Sequence, residues 1–247
     1  MEVQVKAVNN GKYNVFYMAD DEYIGPCIAR GYEWDGWMRK DVEKYYKEGT
    51  EILDIGANIG YNSLMFSDYG PVCAFEPIFH KLVTLNVENN KLKHPITVVP
   101  NALSDKKETV DMYLPNMVEK TGLRNYGGTS MYKTSGSDEK TKTEVECFKL
   151  DDFYSGVPSI IKIDVEGHEL QVLRGSEGII KKYMPMILVE LFDFENNKAL
   201  MDKIHSIYKE HADIPKKQLR DILKHDLWWN VDTCMNYGLV DELWDRV

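Results

Sequence analysis

Hydrophobic and polar positions alternate over Val3–Val8 (VQVKAV), break at Asn9-Asn10-Gly11-Lys12 and resume over Tyr13–Met18 (YNVFYM). This pattern predicts an N-terminal β-hairpin. The next stretch, Asp20–Gly49, is mixed and aromatic-rich, with helical spacing over Trp37–Lys47. From Glu51 the character changes. EILDIG, PVCAFEP, PITVVPNA, IIKIDV and MPMILVEL are short, apolar and rich in β-branched residues. Several lack polar alternation, as strands buried on both faces of a parallel sheet do. Helical spacing separates several of these runs. It covers Tyr61–Ser67, which Gly70 can close, and Phe79–Asn90, with Leu82, Leu85, Asn86 and Asn89 toward one side. It returns at Glu169–Leu173 and in a helix that Ser176 can cap, running to Tyr183. Alternating strands and helices predict a mostly parallel, doubly wound α/β sheet with right-handed crossovers.

One region departs from that alternation. TVDMYL and TEVECFKL, between Thr109 and Phe153, read as strands with no helix between them. The polar stretch Pro115–Thr143, carrying Gly127-Gly128, reads either as a lid or as a solvated connector. After Glu195 two helical patterns, Lys198–His211 and Lys216–Lys224, precede a Trp-rich tail. With no repeat and no linker, a single domain over 1–247 is expected. It consists of an N-terminal addition (1–48), a core (49–195) and a C-terminal helical addition (196–247).

Composition narrows the partners. A chain of 247 residues, 43% of them hydrophobic, suits one large domain with a real core. The formal net charge is -10 and the lysine pairs are isolated, which disfavours nucleic acid as a partner. Cys27, Cys73, Cys147 and Cys234 form no C-x-x-C pair, so neither a zinc knuckle nor a disulfide framework is suggested. No apolar run is long enough for a membrane span, and the opening lacks a signal segment. A cytoplasmic protein is expected.

Two clusters carry chemistry. In the first, strand EILDI runs into Gly56-Ala57-Asn58-Ile59-Gly60 and then a helix, while Glu76 ends the next strand. Glycines permit a sharp strand-to-helix turn, and an acid ending the second strand can accept ribose hydroxyls. A dinucleotide fingerprint fails at Asn58 and Tyr61, and no phosphate-loop lysine follows. Asp54 before the turn suits a ligand with an ammonium and a sulfonium better than a pyrophosphate. That points to S-adenosylmethionine. The alternative is a glycine turn that merely packs helix on strand. In the second cluster, IIKIDVEGHE puts Asp164 at a strand end, with Glu166, His168 and Glu169 in the following turn and Glu190 ending the next strand. Asp164 and Glu190 suit magnesium or manganese, and His168 suits a base for a substrate hydroxyl. His168 as a helix cap and Asp164 as a structural acid remain open.

LDIGANIGYNSL, AFEP, VPNALSD, GGTSM, LDDF, IKIDVEGHELQVLRG and ILVEL, in that order, resemble FkbM-type methyltransferases over about Gly49–Leu191. The resemblance implies a class I, Rossmann-like S-adenosylmethionine-dependent fold that O-methylates sugars, polyketides or other small hydroxylated molecules. It implies that Asp54, Gly56, Asn58, Gly60, Asn62 and Glu76 hold methionine and ribose, with Asn101, Ala102 and Leu103 beside adenine and Asp164 at the cofactor's edge. The turn Asp164–Glu169 and Glu190 would face the substrate, with His168, Asp164 and Glu166 as catalytic residues. Asp164 and Glu190 also resemble the metal-binding acids of catechol-type and macrolide-sugar O-methyltransferases. The lysine base of the catechol enzymes is replaced by Gly167, leaving its role to His168 or a metal. The expected activity is O-methylation of a sugar hydroxyl on a glycan or glycosylated metabolite. Another small hydroxylated acceptor, a lipid, a protein side chain, or a non-catalytic cofactor-binding role are the alternatives. The five tryptophans, Trp34, Trp37, Trp228, Trp229 and Trp244, flank this core and read either as an acceptor pocket or as packing of the additions.

Overall fold

The computed structural model describes residues 4–133 and 136–190. The chain divides into two units after Glu190, and the description concerns the first. The two C-terminal helical patterns and Trp228, Trp229 and Trp244 lie outside the described residues.

The N-terminal hairpin is present as β1 (Val5–Asn9) and β2 (Asn14–Met18), paired antiparallel. Helices α1 (Ile24–Ala29) and α2 (Met38–Tyr45) follow. The first βα units are β3 (Glu51–Ile55), α3 (Tyr61–Phe66), β4 (Val72–Phe75), α4 (His80–Glu88) and β5 (Ile96–Val99). An excursion of β6 (Ala102–Leu103), β7 (Glu108–Pro115) and β8 (Ser137–Phe148) comes next. The chain then runs through α5 (Leu150–Phe153), β9 (Pro158–Ile163), α6 (Glu169–Gly175), α7 (Glu177–Tyr183) and β10 (Met186–Val189).

Five strands form a parallel sheet in the order β10-β9-β3-β4-β5, as the apolar runs predict. Every residue of β4 and β9 is buried, and so is all of β3 except Glu51. Burial on both faces explains why their sequences lack polar alternation. Each fully buried Ile or Leu of this layer contributes about 1.5–3 kcal/mol. The strand order turns around at β3, with β4 and β5 on one side and β9 and β10 on the other. In open α/β sheets ligands bind beyond the strand carboxyl ends at such a point. Ile55, Ile163 and Val189 lie level in register, so the residues that follow them emerge side by side.

Three features differ from the expected layout. The polar stretch after Pro115 is not one long loop, because β8 begins at Ser137 and pairs back onto Leu114 and Pro115. Its first eight residues, SDEKTKTE, are largely solvated, so no apolar period marks the strand. With β6 and β7, β8 forms a separate three-stranded sheet, parallel to β6 and antiparallel to β7. Ser176 does not cap α7 through its hydroxyl, which donates back to the Val172 carbonyl instead (2.6 Å). Asp151 of α5 receives the first-turn amides of Gly178 and Ile179 at 2.9 Å. Helix α1 escapes the pattern because Gly25 and Pro26 sit in its first turn.

Several side chains fix the hairpin to the core, among them Asn10 on Tyr61, Tyr13 on Asp68 and Asn90 on Asn14. Asn86 of α4, fully buried, accepts from the Phe16 amide (2.6 Å) and donates to the Phe16 and Ile59 carbonyls (2.9 and 2.7 Å). Trp34 packs partly buried against the hairpin cluster, whereas Trp37 is 61% exposed. No helix among the described residues is long and apolar enough to cross a membrane.

Candidate active site

The turn from β3 into α3 is built on backbone that few residues tolerate. Gly56 has φ +81°, and a Cβ there would lie 1.8 Å from the Asp164 carbonyl oxygen. Glycine is therefore required by the close approach of the β9 turn as well as by the dihedral. Asn58 is also left-handed (φ +51°). Its amide donates to Glu76 Oε2 (2.9 Å) and its Nδ2 to the Tyr126 carbonyl (3.1 Å). Gly60, again left-handed, opens α3, whose first turn presents Asn62. Asp54 is fully buried, with Oδ2 accepting from Ser63 Oγ at 2.5 Å. Glu76 accepts two more amides, from Ile78 (2.8 Å) and Phe79 (2.9 Å). Burial nevertheless pushes its pKa up to about 7 against those three bonds.

Lys162, in β9, joins the two predicted clusters. Its buried ammonium donates to the Gly56 carbonyl (2.9 Å) and faces Asp164 Oδ2 (3.1 Å) and Asp54 Oδ1 (3.4 Å). Burial alone would discharge it, but Asp164 and Asp54 together hold its pKa above the ordinary lysine value. The same pairing, against the opposing effect of burial, holds Asp164 below the usual carboxylate range.

Beyond the strand ends Asp164, Glu166 and Glu190 bring one carboxylate oxygen each within 4.8 Å of the others. Three carboxylates so close cannot all remain ionised without a compensating cation or proton. Burial, then the charges of Asp164 and Glu190, push Glu166 up to about 8. Burial and a proton shared with Asp164 push Glu190 up to about 7. Glu166 is held in a left-handed conformation (φ +53°), and its carbonyl accepts from Ser130 Oγ (2.7 Å). His168 does not join the trio. Its ring is buried, with Nε2 on Ser104 Oγ (3.0 Å) and Nδ1 on the Tyr132 hydroxyl (3.1 Å), and burial lowers its pKa. Asn101 and Ala102 lie where β5 passes into β6, Ala102 being buried opposite Cys147.

The electrostatic character of the site is one-sided. Asn58 Oδ1 and Asn62 Oδ1 are buried acceptors without a hydrogen-bond partner, and Asp54 Oδ1 is met only by the Lys162 ammonium at 3.4 Å. Such atoms cost about 1–3 kcal/mol each until a donor arrives. Around them stand Asp54, Glu76, Asp164, Glu166 and Glu190 against the single ammonium of Lys162. The arrangement favours a ligand that is cationic and rich in N–H donors.

Residues 54–220 match the family described as "Methyltransferase FkbM domain", more than half of the chain. This chain belongs to the FkbM methyltransferase family. The chain is 28% identical, over 59% of its length, to the hexuronic acid methyltransferase AglP of Haloferax volcanii. It is 26% identical, over 58% of its length, to the methyltransferase sdnD of Sordaria araneosa. The matches span 57% and 66% of those relatives, so the chain aligns with less than two thirds of either. A crystallised FkbM methyltransferase of Methylobacillus flagellatus is similar at 17% identity with a TM-score of 0.45, over 66% of this chain and 38% of that one.

Within the FkbM region, Asp54, Gly56, Asn58, Gly60 and Glu76 share one turn system, and Asp164, Glu166 and Glu190 share another. Sequence reasoning missed the lysine between them, although Lys162 in an otherwise apolar strand is a visible signal. It also missed Tyr126 and Tyr132, which with Ser130 of the GGTSM segment, a residue expected to lie in a loop over the acceptor, reach both turns. Asp35 was missed as well. Its Oδ2 accepts from Asn62 Nδ2 (3.1 Å), and no motif announces it.

Proposed function

We propose that this chain is an S-adenosylmethionine-dependent O-methyltransferase acting on a sugar hydroxyl. The set of buried, unpartnered acceptors beside carboxylates at the ends of β3 and β9 carries the reading. An ammonium and a sulfonium would satisfy it, whereas a pyrophosphate would meet like charge. Glu76 already accepts three amides and, with about four lone-pair sites, has room for one ribose hydroxyl. Asn101 and Ala102 are assigned to the adenine side.

Bound S-adenosylmethionine supplies an electrophilic methyl group on a positively charged sulfur. The chain's task is to align a hydroxyl with it and to take the hydroxyl proton. Alignment supplies roughly 7–11 kcal/mol in well-oriented reactions, and a base adds about 10²–10⁴-fold. Glu166 receives that proton at its carboxylate, with Asp164 and Glu190 beside it. His168 acts through the turn, holding Tyr132 and Ser104 around it. The sugar acceptor is supported by the 28% identity to a hexuronic acid methyltransferase, and the net charge of -10 favours a small molecule or glycan over nucleic acid. A cytoplasmic location fits this chemistry.

Calorimetry with S-adenosylmethionine and S-adenosylhomocysteine is expected to show binding of both. A panel of sugars, phenols, lipids and peptides, read by the mass gain of one methyl group, then identifies the acceptor. Absence of binding to either cofactor form overturns the reading, and binding without turnover on any acceptor favours a non-catalytic subunit.

The trio supports a second reading. Three carboxylate oxygens within 4.8 Å fit a hard divalent cation such as magnesium or manganese, held by Asp164, Glu166 and Glu190. Such an ion would polarise the acceptor hydroxyl. Activity unaffected by chelator, with no magnesium or manganese binding by calorimetry, leaves the trio as a proton-sharing group.

A further inference from the structure

The family match begins at residue 54, yet one carboxylate in the site comes from well before it. Asp35 sits in the tight turn Trp34–Trp37 that leads into α2, in a left-handed conformation (φ +52°). Its carbonyl accepts the Met38 amide (3.0 Å), and Trp34 beside it packs on the hairpin cluster. The turn is thus anchored on both sides of the carboxylate. Asp35 Oδ2 then reaches across to accept from Asn62 Nδ2 at 3.1 Å, on the first turn of α3.

That bond decides how Asn62 faces the site. A carboxylate only accepts, so the Asn62 amide nitrogen must point at Asp35 and its oxygen must point elsewhere. Asn62 is 6% exposed, and this oxygen has no partner. Asp35 is also felt on the far side of the turn. Its charge raises the proton affinity of Lys162 in β9 and of Glu190 at the end of β10. This half-buried carboxylate is therefore bonded to the first turn of α3, and its charge acts on the lysine that joins the two clusters.

We propose that Asp35, with the Asn62 oxygen, forms the subsite for the α-ammonium of the cofactor's methionine, so that the N-terminal segment closes the cofactor pocket. The proposal rests on the S-adenosylmethionine reading and assigns the ammonium to residues outside the glycine turn. An ammonium offers three donors, and Asp35 and Asn62 supply acceptors of which one is charged. Lys162 pairs with Asp54 and Asp164 at close range, whereas Asp35 has no ion pair among the described residues.

The test compares two ligands on two proteins by calorimetry. S-adenosylhomocysteine carries the ammonium; methylthioadenosine keeps the nucleoside and the thioether but lacks the amino-acid portion. Asp35→Asn keeps the shape and can still accept from Asn62 while removing the charge. The expected result is a loss of about tenfold or more in S-adenosylhomocysteine affinity with methylthioadenosine affinity unchanged. The melting temperature of the ligand-free variant should match that of the parent. An unchanged S-adenosylhomocysteine affinity overturns the proposal, and so does an equal loss for both ligands, which would make Asp35 a structural residue. A parent protein that binds neither ligand overturns the cofactor reading itself, a failure visible before any variant is made.

Discussion

Glu166 is the residue whose conformation and environment are both unusual. A non-glycine side chain in the left-handed region costs free energy, and here a hydroxyl from another segment, Ser130, holds the peptide there. Its pKa of about 8 arises from burial and from Asp164 and Glu190, so the proton-accepting form grows as pH rises from 7 to 9. The expected outcome is a kcat/KM that climbs through that range and levels off above it. In Glu166→Gln, kcat should fall by about 10²–10⁴-fold while S-adenosylhomocysteine affinity stays unchanged. A Gln variant with parental kcat and the parental pH profile would remove Glu166 from the reaction. Glu166 was legible in the sequence because IDVEGHE is a compact run after an apolar strand. The partners of His168 were not. Ser104 lies 64 positions away and Tyr132 lies 36, in or beside motifs that say nothing of a contact with His168. Asp35 was still less visible, an isolated acid among aromatic residues that only the packing of Trp34 and α2 carries to Asn62.

At the scale of elements, the parallel strands were legible wherever both faces are buried, as in β4 and β9, because burial writes itself as an unbroken apolar run. Strand β8 was half hidden, since its solvated start obeys no burial constraint and its pairing with β7 is set across the excursion. The meeting of the β3 and β9 turns was not legible either. Glycine at position 56 suggests a ligand approaching closely, but what fills the space of the absent Cβ is the Asp164 carbonyl. Gly56→Ala would force those turns apart and place alanine at φ +81°. A cost above about 3 kcal/mol is expected, or a fall of about 6–12 °C in Tm for a domain of this size. Cofactor affinity, measured by calorimetry where the variant is folded, should fall with it. A Tm within a degree or two of the parent would mean that the turns separate without penalty.

The chain carries a net charge of -10, and among the described residues several of its acids gather at the strand ends. Glu76 and Glu190 are raised to about 7 and Glu166 to about 8, each from an ordinary value of 4.5. Between those limits these three glutamates bind more protons in the folded than in the unfolded chain, against the opposite contribution of the lowered His168. Stability is therefore expected to fall as pH rises from about 4.5 to 8. Denaturant unfolding of the ligand-free protein at pH 5, 6, 7 and 8 should show this decline, with a shallower slope in Glu166→Gln. A flat or rising profile would contradict the pKa directions.

The asparagines at and just beyond α4 that hold the hairpin make its placement depend on chain far along the sequence. A two-stranded hairpin is marginal by itself, and Asn86 supplies the missing edge for Phe16 from 70 positions further along the chain. At ribosomal rates that delay is about 4–14 s. The hairpin therefore gains these partners only once α4 has been made and folded. A hairpin set by contacts this distant in sequence adds to the long-range share of the fold, so its attachment is expected to depend on the core rather than to precede it.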